Sequence, residues 1–280
     1  RLILPALFGV SVSQLNLLLD TLIASFLVGG SISWLYYSDR LMEFPLGILG
    51  VALGTVILPN LSRNHAEQSH EQFSRTIDWA LRWVLLLGLP SAVGMLVLAG
   101  PMFAALFYSK AFTAEDVLKA SQSLQAYSFG LLGFMSIKVL APGFYSRQDT
   151  RTPVRIGVIT MIVNMALNLA LMFPLGHVGL ALSTTLSASL NAGLLYRQLR
   201  LQGVYRPQPG WGRLLRQGVL AALLLGVVLS LGGVGDLSVW LAWSTTERVL
   251  RLVFWVLVGV VVYGLALLAL FGAASAALAR

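Results

Sequence analysis

Four ionisable residues lie within long, largely apolar stretches of the sequence: Asp20, Asp39, Arg40 and Glu43. An ionisable side chain deep in a hydrocarbon layer is costly, and by default it marks a functional site. Arg40 lies nine residues after Ser31, at the start of an apolar run, which corresponds to a depth of roughly 13 Å in a ~30 Å core. A guanidinium stays charged and matches phosphate oxygens with two parallel hydrogen bonds. The pattern indicates a cavity in which Arg40 binds an anionic group.

The same residues also allow a purely structural interpretation. Arg40 and Glu43 are i,i+3 neighbours on one helix face, so they could simply form an ion pair. Asp39 and Asp20 are two further candidate partners for Arg40. Asp20 precedes the predicted turn at 28–30 by about as many residues as Arg40 follows it, which places both at similar depth. A salt bridge between Arg40 and Asp20 therefore stays open as an alternative.

A second group of polar residues suggests a cation site. Asn164 and Asn168 are i,i+4 and share a helix face, and Thr184 lies in the next apolar run. With Asp20 they would offer a carboxylate, two amides and a hydroxyl, which are hard oxygen ligands suited to Na⁺. The alternative is interhelical hydrogen bonding, for which Asn and Thr are commonly used in membranes.

The composition places these residues in a membrane protein. The chain is 57% hydrophobic and 11% charged, with a mean hydropathy of +0.81, whereas soluble domains carry about 25% charged residues. The runs are too long for the alternating strands of an outer-membrane barrel. We predict an all-α integral membrane protein of about eight transmembrane helices. The predicted spans are 2–28, 31–60, 80–107, 117–141, 154–174, 176–196, 214–233 and 249–273.

Basic residues between the spans predict the orientation. Arginines are concentrated at 63–82, 147–155 and 197–216, while the opposite loops carry few. By the positive-inside rule the arginine-rich loops are cytoplasmic, and eight spans then put both ends of the chain in the cytoplasm. The same rule accounts for the net charge of +8, so we predict no nucleic-acid partner.

Two polar segments divide the chain. Residues 62–78 are predicted to form a cytoplasmic surface helix, and 201–212, with two prolines and three glycines, form a linker. This predicts a six-helix unit at 1–200, a cytoplasmic linker at 201–212 and a two-helix element at 213–280.

No enzymatic apparatus is visible in the sequence. It contains no cysteine, and no HExxH, P-loop, nucleotide fingerprint or Ser/His/Asp set. His65, His70 and His177 are predicted to be solvated rather than metal-bound. The protein is therefore predicted not to be an enzyme, and to need no cofactor except the candidate Na⁺.

Three runs resemble the MurJ/MviN family of lipid II flippases, a branch of a multidrug/oligosaccharidyl-lipid/polysaccharide exporter superfamily. Residues 34–45 (WLYYSDRLMEFP) and 50–59 (GVALGTVILP) are similar to the family's eighth helix. Residues 141–153 (APGFYSRQDTRTP) resemble the loop after its tenth helix, and 205–211 (YRPQPGW) the linker before its last two helices. The resemblance extends over the whole chain and identifies it with helices 7–14 of the family.

That resemblance implies a six-helix transporter lobe followed by two helices that form a hydrophobic groove, in the bacterial inner membrane. It implies lipid II as substrate, moved by alternating access for cell-wall synthesis and cell shape. Arg40 would bind pyrophosphate, with Glu43 and Asp39 beside it, while Asp20, Asn164, Asn168 and Thr184 would lie where related transporters hold sodium. The expected partners are lipid II, the bilayer and an N-terminal lobe, absent from these residues, that carries the other cavity arginines.

Other functions remain as alternatives. The chain could export another polyprenyl-linked glycan or a drug. It could also be a non-transporting scaffold for cell-wall enzymes, in which case Arg40 could be neutralised without effect.

Overall fold

The computed structural model describes residues 3–278, with side chains described for 14–48, 50 and 55–271. Within those residues the chain forms ten helices and no strand, so the predicted all-α fold is confirmed. The helices are α1 (Ile3–Ala24), α2 (Ser31–Ala66), α3 (His70–Leu106), α4 (Ala114–Ser128), α5 (Leu131–Tyr145), α6 (Arg151–Leu175), α7 (His177–Leu201), α8 (Trp211–Leu231), α9 (Leu237–Ala242) and α10 (Thr245–Leu278).

Several helices have the length and apolarity of membrane spans. Among the described residues five helices meet that condition, and a sixth span results if α4 and α5, which meet at 48°, are counted together. The spans predicted at 2–28 and 31–60 fall on α1 and α2, parts of which lie outside the described side chains. The total of eight spans therefore stays a prediction.

The connections group at two ends of the helix bundle. One end, here called the basic end, carries the turns 67–69 and 146–150 and the loop 202–210. Arg147 donates to the side chain of Gln202 at 2.7 Å, which brings two of these connections together. The other end carries 25–30, 107–113 and 232–244. There Trp34 meets the ring of His177 edge-on at 4.9 Å.

The α4–α5 pair is broken at a point where it packs closely on α7. A Cβ added at Gly130, in the break, would lie 2.9 Å from Cα of Thr185. The span predicted as one helix at 117–141 is therefore two helices. The pair begins with a capping box in which Thr113 and Asp116 satisfy each other's backbone N–H groups.

The surface helix predicted at 62–78 was wrong. α2 continues to Ala66, α3 begins at His70, and only the turn 67–69 separates them. Gln68 supplies the left-handed conformation of that turn, with a φ of 54°. The polar residues thus extend two long helices past the apolar layer, and Asn64 donates to Thr76 across the hairpin at 3.2 Å.

The packing leaves a gap between α1 and α2. α1 packs mainly on α6, whereas α2 packs on α3, α4 and α5, and the two helices make few contacts with each other. That turn depends on Gly30, whose φ of +101° is a conformation that favours glycine. α8 and α10 pack against each other and on α3.

Candidate functional site: a polar cavity between the first two helices

The gap between α1 and α2 is a cavity of about 380 Å³. It is backed by α4 and α7, and it contains most of the ionisable residues singled out in the sequence. Its polar lining residues include Asn16, Asp20, Tyr36, Asp39, Arg40 and Thr184. The fold therefore brings four of the predicted site residues to one cavity, namely Asp20, Asp39, Arg40 and Thr184.

Arg40 pairs with Glu43 and not with Asp20. Its Nη1 donates to Glu43 Oε2 at 2.6 Å, and its guanidinium lies over the ring of Tyr36 at 5.1 Å. The side chains of Arg40 and Glu43 are 51% and 52% exposed. The bond to Glu43 therefore orients the guanidinium while leaving most of its five N–H donors for a ligand.

On the opposite wall, Asp20 accepts hydrogen bonds from two asparagines. Asn168 Nδ2 donates to Asp20 Oδ1 at 2.6 Å, and Asn16 Nδ2 donates to Asp20 Oδ2 at 3.2 Å. Asn168 and Asn164 are both buried beside this carboxylate. The carboxylate is thus held by a network of amides rather than by a basic residue.

The Asn164 amide completes this network. Its nitrogen donates to Asp20 Oδ1 at 3.0 Å and to Asn16 Oδ1 at 3.2 Å, and its oxygen accepts from the backbone N–H of Thr184 at 3.2 Å. Asp20 is therefore surrounded by amide groups that satisfy its oxygens.

Thr184 and Asp39, the other residues predicted for the site, also line the cavity. The Thr184 hydroxyl lines the cavity and donates to the Leu180 carbonyl at 3.0 Å, which leaves its lone pairs available. Asp39 also lines the cavity, next to Arg40. The described residues contain no group of three or more His, Cys, Asp or Glu that could hold a metal, so any cation here would rely on the Asp20 carboxylate with amide and hydroxyl oxygens.

Sequence reasoning left Asn16 out of the cation set, although a signal existed. Asn16 and Asp20 are i,i+4 on α1 and therefore share a face. The prediction for His177 was wrong in a different way. His177 is buried, and its Nε2 lies 3.1 Å from the carbonyl oxygen of Lys119, because the end of α6 turns it inward against α4.

A second polar centre, at the basic end, had no signal in the sequence. The buried carboxylate of Asp78 accepts from Tyr205 Oη at 2.9 Å, Trp211 Nε1 at 2.7 Å and Gln208 N at 3.0 Å. Arg82 donates to its other oxygen at 2.7 Å. Burial, and then the bond to Asp78, raise the pKa of the Tyr205 hydroxyl, so it stays a donor. Asp78 thereby fixes the loop before α8 to α3.

A bundle of apolar helices with a polar cavity between its first two helices is an arrangement suited to a membrane transporter. The fold agrees with solved transporters. A structure described as lipid II flippase MurJ in an inward closed conformation matches 99% of this chain and 54% of its own, with a TM-score of 0.76 and 22% identity. An outward-facing MATE family multidrug resistance transporter matches 96% of this chain and 63% of its own, with a TM-score of 0.64 and 19% identity.

The sequence comparisons define the family. The model of the family "Lipid II flippase MurJ" matches residues 1–254. A probable lipid II flippase MurJ of Vibrio cholerae is 52% identical over 273 residues, which cover 97% of this chain and 51% of the relative. The chain belongs to the MurJ family, and it is a multi-pass membrane protein. It spans about half the length of the curated relatives it matches.

Proposed function

We propose that the protein moves lipid II from the inner to the outer leaflet of the bacterial inner membrane by alternating access, for peptidoglycan synthesis. The observation that carries the proposal is the family match over residues 1–254, together with relatives named lipid II flippase. In this proposal a second lobe faces the α1–α2 cavity, and the lobes rock about a site near the midplane, as in other repeat-built transporters. The basic end and both chain ends lie in the cytoplasm.

Arg40 is the proposed ligand of the pyrophosphate. It lies in the cavity wall, and Glu43 at 2.6 Å holds its guanidinium in one orientation. A pyrophosphate can accept two parallel bonds from such a fork, which a lysine cannot supply. The side chains of Arg40 and Glu43 are both about half exposed. A bound substrate therefore has room to share the hydrogen bond between them or to replace it.

The Asp20 cluster is the proposed site of a coupling cation, with Na⁺ as the ion. Asp20, Asn16, Asn164 and Thr184 would supply oxygens, and Asn168 would hold Asp20 in place. Binding of a cation would require the Asn164 oxygen, in place of its nitrogen, to face Asp20. A membrane potential of 100 mV is worth about 2.3 kcal/mol per charge moved, enough to drive such a cycle in one direction.

The test is lipid II flipping in cells depleted of their own flippase, with the full protein at matched expression. We expect Arg40→Ala to lower flipping by about 10- to 100-fold, because a charge-assisted hydrogen bond contributes about 1.5–3 kcal/mol. Arg40→Lys should retain an intermediate rate, since it keeps the charge but loses the fork. Arg63→Ala, on the same helix but at an exposed surface ion pair, is the matched control and should flip normally.

The possible outcomes test the identity of the substrate and the role of Arg40 separately. If the wild-type protein and Arg40→Ala flip equally, the transport function stands and Arg40 is not its anion ligand. If the wild-type protein does not accelerate lipid II movement, the substrate is wrong, and export of another polyprenyl-linked glycan becomes the better hypothesis.

A further inference from the structure

A second pocket, of about 290 Å³, lies at the basic end between α6 and α7. This volume is near the lower end of the roughly 300–1,000 Å³ found for small-molecule sites. Its polar lining comes from Thr152 and Arg155 on α6 and from Arg197 and Gln198 on α7. It shares no lining residue with the α1–α2 cavity, so the proposed transport site does not account for it.

The register of the two helices places both arginines at one level. Asn191 on α7 donates to the Thr160 hydroxyl on α6 at 3.1 Å, which fixes which residues face each other. Towards the basic end, Arg155 is five residues from Thr160 and Arg197 is six residues from Asn191. At 1.5 Å per residue these are about 7.5 and 9 Å along antiparallel helices. Two guanidiniums therefore enter one pocket from opposite walls.

Neither guanidinium has a partner of opposite charge in the described part of the chain. No ion pair there involves Arg155 or Arg197, and no side-chain hydrogen bond does. The nearby carboxylate of Asp149 is engaged by the N–H of Thr152 at 3.0 Å and by its hydroxyl at 2.7 Å. Two like charges facing one pocket repel each other, and an anion between them removes that repulsion.

The chemistry of the pocket selects a phosphate group. Two guanidinium forks, with the side-chain amide of Gln198 beside them, supply N–H donors of the kind that phosphate oxygens accept. One helical turn deeper the lining becomes apolar, with Ile159 on α6 and Leu194 on α7. The pocket is thus polar at the basic end and apolar further in, which matches the charged headgroup and the apolar chains of a phospholipid.

We propose that Arg155 and Arg197 bind a phosphate group, which the apolar residues below them identify as the headgroup phosphate of an anionic phospholipid. Its acyl chain would continue over the outer surface of α6 and α7, where Ile162 is 60% exposed. Basic pockets between transmembrane helices at the cytoplasmic surface are suited to anionic lipid headgroups. Inorganic phosphate offers the same oxygen acceptors as the lipid phosphate but has no acyl chain, so the experiment includes it.

The test is native mass spectrometry of the purified protein titrated with phosphatidylglycerol, with phosphatidylethanolamine or with inorganic phosphate. We expect phosphatidylglycerol to be retained over phosphatidylethanolamine, and each of Arg155→Gln and Arg197→Gln to weaken its retention about fivefold. Arg206→Gln with Arg216→Gln is the matched double control, because both arginines are exposed near the basic end but do not line the pocket. Thermal unfolding without added lipid checks that all variants fold alike.

Each outcome decides the proposal. Binding of inorganic phosphate that depends on both arginines, without selective retention of phosphatidylglycerol, supports the phosphate site and overturns the lipid as its source. Equal retention of phosphatidylglycerol by the wild-type protein and by the Arg155→Gln/Arg197→Gln variant overturns the site. Because Arg40 is unchanged throughout, loss of lipid binding here leaves the proposed transport function untouched.

Discussion

Asp20 supplies the carboxylate of the amide cluster, so the proposed Na⁺ site depends on its charge. Calcium and sodium sites gain affinity from charged ligands, and here the other oxygens are neutral. We expect Na⁺ to raise the thermal unfolding temperature of the wild-type protein and to lose that effect, with at least about tenfold weaker apparent binding, in Asp20→Asn. The measurement is unfolding in Na⁺ against K⁺ at constant ionic strength.

Asp39→Asn is the control for that experiment, because it removes a second carboxylate from the same cavity. It should keep the Na⁺-dependent stabilisation, since Asp39 is not part of the amide cluster. If both variants respond to Na⁺ like the wild-type protein, the cluster serves only to pack α1 on α6.

Asp78 is the residue on which the loop before α8 depends. Asp78→Ala would leave the Tyr205 hydroxyl, the Trp211 indole N–H and the charged Arg82 without their acceptor. A lost partner of a buried donor costs about 1–3 kcal/mol. We therefore expect a loss of at least about 3 kcal/mol in unfolding free energy, measured by denaturant unfolding in detergent. Glu71→Ala, which removes an exposed ion pair on the same helix, should cost under about 1 kcal/mol.

At the scale of the elements, the α6–α7 hairpin rests on one close approach. A Cβ at Gly179 would lie far inside contact distance of the Leu171 backbone, whereas at Gly193, on the same helix, it would meet nothing within 4 Å. We expect Gly179→Ala to destabilise the protein by about 1–3 kcal/mol, because the backbone must move. Gly193→Ala should be neutral or stabilise by up to about 1 kcal/mol. Thermal unfolding of the two variants compares them directly, and equal midpoints would contradict the close packing.

Some features of the fold and of the candidate site could be predicted from the local sequence alone. The residues of the cavity were found from their chemical type, because charge in an apolar run stands out without knowledge of the fold. The i,i+4 pair Asn164 and Asn168 was found from helical spacing alone, and the structure places both beside Asp20. The pairing of α1 with α6 instead of α2 could not be predicted, since apolar surfaces of many helices fit one another equally well.

Two other features that were not predicted, the hydrogen bonds of Asp78 and the break between α4 and α5, involve contacts between residues distant in the sequence. In the sequence, Asp78 is one polar residue in a polar segment. Only the fold brings Tyr205 and Trp211 to it, from more than a hundred residues away. The break between α4 and α5 likewise lies at a long-range contact, where Gly130 packs against Thr185 of α7. Neither contact leaves a periodic pattern in the sequence.

At the scale of the whole molecule, orientation in the membrane is the property on which the direction of transport depends. These 280 residues contain no cysteine, so a single thiol introduced among them reports one position within them. His70 is exposed at the basic end and Lys110 is exposed at the opposite end. By the positive-inside rule we expect a membrane-impermeant maleimide to label Lys110→Cys in intact spheroplasts, and His70→Cys only after the membrane is permeabilised. Labelling in the reverse order would place the basic end outside, and the cavity would then have to load lipid II from the wrong leaflet for the proposed cycle.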